Sequence, residues 1–177
     1  MKALGNDAIE FVIDKITNSI ENVVTGEVFD TDIVEVVSKD ARRLKKADWQ
    51  FDWRSELKKE GRKVYKLVTV NNDKIAHGFI SISENVDHVY MHLIESANFN
   101  KGKNKMYNGV SANLVAFACK RSFESGYHGV VAFVAKTQLI DHYKLMLGAK
   151  VLAGNKMYID TKEAVSIVRQ YFKKFEL

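Results

Sequence analysis

Hydrophobic and polar positions change period along the chain, and each change marks a different kind of element. Over residues 6–20, Ile9, Val12, Ile13, Ile16 and Ile20 share one helical face, with Asn6 or Asp7 as cap. This predicts a helical extension within residues 1–20, although the later stretch ITNSI could instead begin a first strand. Residues 23–29 form a short β-like run broken by Thr25-Gly26. Thr31 then precedes a helical pattern of Ile33, Val34, Val37, Ala41 and Leu44. Residues 56–60 are polar and helical, with Gly61 as a stop. From residue 63 the period falls to two. Strands are predicted over 63–70, 74–83 and 88–98, joined by Asn71-Asn72-Asp73 and by a turn over 84–87. This is an antiparallel meander. Ala76, Gly78, Ile80 and Ile82 share one face of its middle strand, and Ile75, His77, Phe79 and Ser81 share the other. Both faces are largely apolar, so helices should cover both.

A helix is predicted from Gly109-Val110-Ser111 to about Ser125, stopped by Gly126 and Gly129, with a strand over 130–135. A strand that reaches the next through a helix runs parallel to it, so the sheet changes from antiparallel to parallel near its centre. Ligands of α/β sheets gather in crevices at the carboxyl ends of strands, here around 93–97 and 135–137. Thr137 caps a short helix through Leu147, which Gly148 ends. A hairpin follows around Gly154-Asn155. Thr161 caps a closing helix to about Phe172, with Ala164, Ile167, Val168 and Tyr171 on one side. The fold class is α/β with a mixed sheet, an antiparallel meander followed by a parallel β-α-β crossover, in one domain over 1–177.

Composition narrows the function classes. A chain of 177 residues with 46% hydrophobic and 28% charged residues can bury a full core. No apolar run reaches membrane-spanning length, and MKALGNDAIE lacks a signal peptide's apolar stretch. The single cysteine, Cys119, excludes an intrachain disulfide framework and reads as a core residue of its helix. Cytoplasm is the expected compartment. The net charge of +5 fits an anionic ligand, a nucleic-acid partner or solvated lysines alike. Arg42, Arg43, Lys45 and Lys46 close a predicted helix, where cations complement the dipole. Trp49, Phe51 and Trp53 either pack as a satellite core or line an acceptor pocket.

The candidate chemistry lies between strand and helix, in FNKGKNKMYNGVS over 99–111. Lys101, Lys103 and Lys105 lie close to Gly102 and Gly109, and Gly109 stands where a helix start turns unpaired N–H groups outward. Such a place receives phosphate or pyrophosphate, unless it is only a solvated basic turn. The P-loop and the triple-glycine dinucleotide fingerprint are both missing.

With MYNGVSANLV in that loop, the order of strands and helices resembles the GNAT family of N-acetyltransferases. The family carries Gln/Arg-x-x-Gly-x-Gly/Ala between a strand and a helix, and its backbone amides hold the pyrophosphate of acetyl-CoA. The matching segment is Met106-Tyr107-Asn108-Gly109-Val110-Ser111. Met106 stands where the family has Gln or Arg, Ser111 where it has Gly or Ala, and Lys105 can supply the missing charge. Downstream, LIDHY leading to Gly148-Ala149 resembles the family's helix ending in tyrosine, with Ala149 in place of Phe and one more residue between. By this resemblance, Tyr143 stands near the thioester sulfur and protonates the departing thiolate. Leu93, Ile94 and Glu95 face the thioester. The co-substrate is acetyl-CoA, with no metal.

Acetyl transfer needs a neutral amine, a polarised carbonyl and a protonated leaving thiolate. Glu95, a charge at the carboxyl end of the central strand, is the candidate base; His92 or a water relay are the alternatives. His77 and His142 read as core and surface residues. Asn98 and Asn100 either form the turn or bind ligand. The expected activity is acetyl-CoA-dependent transfer to a primary amine by direct attack in a ternary complex. A catalytically silent CoA-binding or interaction module is the alternative. A nucleic-acid-binding domain is a third, with no recognised motif behind it. The acceptor is a small-molecule or protein amine, its pocket built by 31–60 and 154–156. No membrane partner is expected, and a homodimer is allowed for.

Overall fold

Two sheets organise the chain in the computed structural model, which describes residues 8–17 and 19–177. The smaller sheet joins β1 (Ile20–Asn22), β2 (Val28–Phe29) and β7 (Tyr107–Asn108) in the order β2-β1-β7. The larger holds β3 (Thr31–Glu35), β4 (Lys63–Thr69), β5 (Gly78–Glu84), β6 (Val89–Ser96), β8 (Val131–Val134), β9 (Lys150–Ala153) and β10 (Lys156–Ile159). Its order is β3-β4-β5-β6-β8-β10-β9. Helices are α1 (Trp53–Glu56), α2 (Val110–Glu124), α3 (Ile140–Leu147) and α4 (Thr161–Tyr171). The expected meander is β4–β6, and the crossover through α2 makes β6 and β8 parallel neighbours.

Four expectations are corrected. Residues 31–44 form no α-helix: β3 pairs antiparallel with β4 from Thr31↔Thr69 to Glu35↔Tyr65, and Ser38–Arg43 is a 3-10 turn. Thr31, Ile33 and Val34 are β-branched, and the open edge of β4 offered them hydrogen bonds that a local helix could not outbid. Residues 8–17 run extended, not helical; Asn6 and Asp7 lie outside the described residues. Helix α1 begins earlier than expected and stops at Glu56. Asp160, not Thr161, caps α4 by accepting from the Glu163 N–H.

A bulge in β6 sets the two faces of the sheet. Ser81 faces Leu93 but Ile82 faces Met91, so one extra residue lies between them. Val89 and Met91 join the main core beneath α2. Past the bulge, Ile94 takes that side, while Leu93 joins Val36, Trp53, Val64 and Phe79 in a second cluster on the other face. Trp49 and Trp53 pack on Phe79 at centroid distances of 4.4 and 5.2 Å, as the satellite core that was one reading of these aromatics. At Gly78, a Cβ would meet the Glu95 carbonyl oxygen at 2.8 Å and Leu114 and Val110 at 3.0 Å. This glycine lets α2 close onto the sheet beside β6.

Candidate functional site

Strands β6 and β8 pair only at Val89↔Val131 and Tyr90↔Ala132, then diverge. Residues 8–17 thread the opening. The Ile9 N–H donates to the Val134 oxygen at 2.6 Å, and the Lys136 N–H to the Ile9 oxygen at 2.9 Å, in a parallel bridge to the end of β8. Alternation seats this strap: Ile9, Phe11 and Ile13 are buried, while Val12 and Asp14 are exposed. The sequence reading missed this site segment. Its signal was a period of two, which competed with the helical spacing of the same isoleucines.

The strap meets the candidate residues in turn. Glu10 takes hydrogen bonds from Lys136 and from Gln50 Nε2, and the Lys136 bond holds its carboxyl below the usual range. Tyr143 is fully buried, and its hydroxyl donates to the Phe11 carbonyl at 2.6 Å. Its ring lies between Phe11 and Phe133, and burial pushes its pKa well up, with the Glu10 charge adding to the effect. The Ile13 N–H donates to His142 Nε2 at 2.9 Å, which requires a neutral ring; burial lowers the His142 pKa accordingly. At the far end, Asp14 accepts from the Gly109 N–H at 3.2 Å and pairs with Lys105 at 3.0 Å.

Gly109 caps α2 in the left-handed region, at φ 87°. A side chain there is strained and would also lie 2.6 Å from the Ser19 oxygen. The flanking candidates have varied roles. Tyr107 and Asn108 pair with β1, and the Met106 oxygen accepts from the Val23 N–H. Val110 is core. Ser111 bonds Ser96 across 3.2 Å. Lys103 is exposed, whereas Lys101 reaches Glu95.

Glu95 is 3% exposed. One carboxylate oxygen accepts from the Gln50 N–H (2.6 Å) and Lys101 (3.0 Å); the other accepts from the Phe51 N–H (3.2 Å) and Trp53 Nε1 (2.8 Å). It thereby anchors the aromatic connector against the end of β6. His92 is the extra residue of the bulge, and its ring bonds Ser83 at 2.7 Å. His77 is buried between Phe99 and Tyr107, and burial lowers its pKa. Cys119 is fully buried, its thiol pushed up to about 12, which suits a core residue.

A cavity of about 470 Å³ lies between the strap, the end of β6 and the start of α2. Phe11, Asp14, Gln50, Ile94, Glu95, Asn100, Lys105 and Ser111 are among its walls. Its size and mixed lining suit a small-molecule site. Asn98 and Asn100 form the 3-10 turn after β6, and the buried Oδ1 of Asn100 has no hydrogen-bond partner among the described residues. A wider groove of about 1090 Å³ lies beyond the connector, walled in part by Val36, Trp49, Ile75 and Phe79.

This arrangement of meander, bulged central strand, crossover helix and splayed parallel pair is the GNAT fold that the sequence resembles. Mutant forms of the spermidine/spermine N-acetyltransferase SpeG from Vibrio cholerae match it with a TM-score of 0.54 at 14% identity, over 77% of this chain and 97% of that one. AtaTR bound with AcCoA matches at 0.52 and 17% identity, over 78% and 98% of the two chains. The KacTA–DNA complex matches at 0.54 and 14% identity, also over 78% and 98%. No family model matches the sequence, and neither does any curated protein. Among the described residues, no helix is long and apolar enough to cross a membrane.

Proposed function

We propose that the protein is an acetyl-CoA-dependent N-acetyltransferase that moves an acetyl group to a primary amine by direct attack in a ternary complex. The observation that carries this reading is the anion cradle at the start of α2. The Gly109 N–H and the Lys105 ammonium converge there on the oxygens of one carboxylate. Pyrophosphate offers oxygens of the same kind to the same donors. The likeness to AtaTR bound with AcCoA supports a CoA thioester as the ligand.

Past Tyr90, β6 has no strand partner on its β8 side among the described residues. The backbone N–H groups of Leu93, Ile94 and Glu95 alternate between the two edges of β6, and those that point to the open edge are the donors proposed to polarise the thioester carbonyl. Tyr143 is the proposed acid: its raised pKa keeps the proton that the thiolate must receive, once the hydroxyl leaves the Phe11 carbonyl. Glu95 is the proposed base, directly or through water, and acts when one of its four donors releases an oxygen. Lys101, on a flexible stem, is the readiest to do so. The unpaired Asn100 oxygen suits an N–H of cofactor or acceptor at the cavity wall.

The test is release of free thiol from acetyl-CoA across amino acids, polyamines and peptide amines, beside thermal melting with saturating acetyl-CoA. No melting shift and no thiol release would sink the reading. The engaged oxygens of Glu95 and the tied hydroxyl of Tyr143 favour a second reading, a catalytically silent CoA-binding module. A melting shift without thiol release from any amine would select it.

A further inference from the structure

We propose that residues 8–17 are a tethered ligand of the cleft, held by the same groups that bind the co-substrate, so that acetyl-CoA loads by displacing them. The inference rests on the reading of the α2 start as the pyrophosphate cradle.

Independent contacts along one segment carry it. Asp14 occupies both the Gly109 N–H and Lys105, so the cradle already holds an anion supplied by the chain itself. A pyrophosphate cannot share those donors with a carboxylate, because like charges in contact repel. The Phe11 carbonyl accepts the hydrogen bond of the Tyr143 hydroxyl, the group that would serve the leaving thiolate. Ile9 fills the opening between β6 and β8 by pairing with the end of β8. Ser19 and Thr17 close over Gly109 tightly enough to exclude even a Cβ.

The hold is graded along the strap. Ile9, Phe11 and Ile13 anchor one end in the core. The other end is held by polar contacts: Asp14 to Lys105 near solvent, and the N–H of the buried Thr17 to Tyr171 Oη at 2.9 Å. An arriving anion can exchange such contacts one for one, whereas it offers nothing to an apolar anchor. Displacement therefore starts at Asp14 and proceeds toward Phe11, and Tyr143 is freed only when the cleft is filled. The Gly109 N–H, Lys105 and the Tyr143 hydroxyl stay occupied until a ligand with enough phosphate charge displaces the strap.

The test titrates CoA into the wild type, Asp14→Asn and Asp14→Ala by calorimetry, with residue-resolved amide exchange in each. Asp14→Asn keeps the shape and one acceptor oxygen but not the charge. Its Kd for CoA should fall about tenfold, and Asp14→Ala should bind at least as tightly. In the wild type, CoA should speed exchange at the Ile13 and Thr17 amides and slow it at Gly109. Equal Kd values with unchanged exchange at Ile13 and Thr17 would overturn the inference while leaving CoA binding intact. A tighter Kd without loss of protection there reports a charge effect alone and also overturns it. If no variant binds CoA while all keep native near-UV dichroism, the cofactor reading fails and takes this inference with it. Should Asp14→Ala not fold, the exchange data on the wild type and Asp14→Asn still decide.

Discussion

Along its β5 edge, β6 is paired from Val89 to Ser96; along its β8 edge it is paired at Val89 and Tyr90 and then departs. On the closed edge a single register, corrected once by a bulge, buries apolar side chains on both faces. On the open edge, backbone groups lose their neighbour and must find other partners or meet solvent. Part of that need is met by the strap, which satisfies the end of β8 through Ile9. The corresponding stretch of β6 faces the 470 Å³ cavity instead. One strand thus serves as scaffold on one side and as a candidate binding surface on the other.

The comparison can be broken at Gly109, on the open edge. Gly109→Ala meets a left-handed backbone cost of about 1–2 kcal/mol and an overpacking cost of about 1–3 kcal/mol against Ser19 and Thr17. Together these should lower stability by roughly 4 kcal/mol in urea melts and weaken CoA binding. Unchanged stability would mean that the strap does not lie on Gly109.

Ile9→Ala tests whether the strap is part of the core. Ile9 is 2% exposed, and truncating a buried isoleucine costs about 2–5 kcal/mol, so roughly 3 kcal/mol is expected by chemical denaturation. A loss of a few tenths would describe a surface segment.

Glu95→Gln belongs to both edges, because its backbone sits on β6 and its carboxylate holds the connector. The amide swap turns one acceptor oxygen into a donor facing existing donors. It should cost about 2 kcal/mol, in the range of hydrogen bonds to charged groups. Lost turnover in this variant therefore implicates catalysis only if the same preparation, compared below its melting point, still binds CoA.

The smallest effect concerns Glu56, on the closed side. Burial alone would raise its pKa, but hydrogen bonds from Arg62 (2.6 Å), Lys59 (2.9 Å) and Ser81 (2.8 Å) outweigh it and hold the carboxyl below its ordinary 4.5. A depressed folded pKa contributes stability fully above the ordinary value, and that contribution is lost as pH falls through the folded one. Melts between about pH 3 and 6 should show a steeper acid loss in the wild type than in Glu56→Gln. Parallel curves would remove Glu56 from the account.

Much of the closed edge was legible. Alternation from residue 63 announced the meander, and glycines at 109 and 148 marked the ends of α2 and α3, both adopting positive φ. The helix-linked strand at 131–134 had to run parallel to β6, as it does. Glu95, Lys105, Gly109 and Ser111 were named from the sequence, and all four line or adjoin one cavity. The partners of these residues were not legible. Three of the four donors around Glu95 come from residues 50–53, which fold back across the sheet from more than forty residues away in sequence; the fourth, Lys101, is a near neighbour.

By itself, the sequence determined the order of the main elements from residue 63 onward, because local periodicity, turn residues and glycine conformations act over a few neighbours. Only the tertiary structure decided three other things. It turned 31–35 into an edge strand, because β4 offered a hydrogen-bonding edge to residues whose spacing fitted a helix equally well. It inserted the bulge that swings Glu95 toward the connector and Ile94 toward α2, a one-residue shift that leaves no mark in composition. And it laid residues 8–17 into the gap between β6 and β8, where Asp14 meets Gly109. The same isoleucines satisfy a period of two or of three to four. The choice fell to the opening in the sheet, which supplies backbone partners to an extended chain and none to a helix.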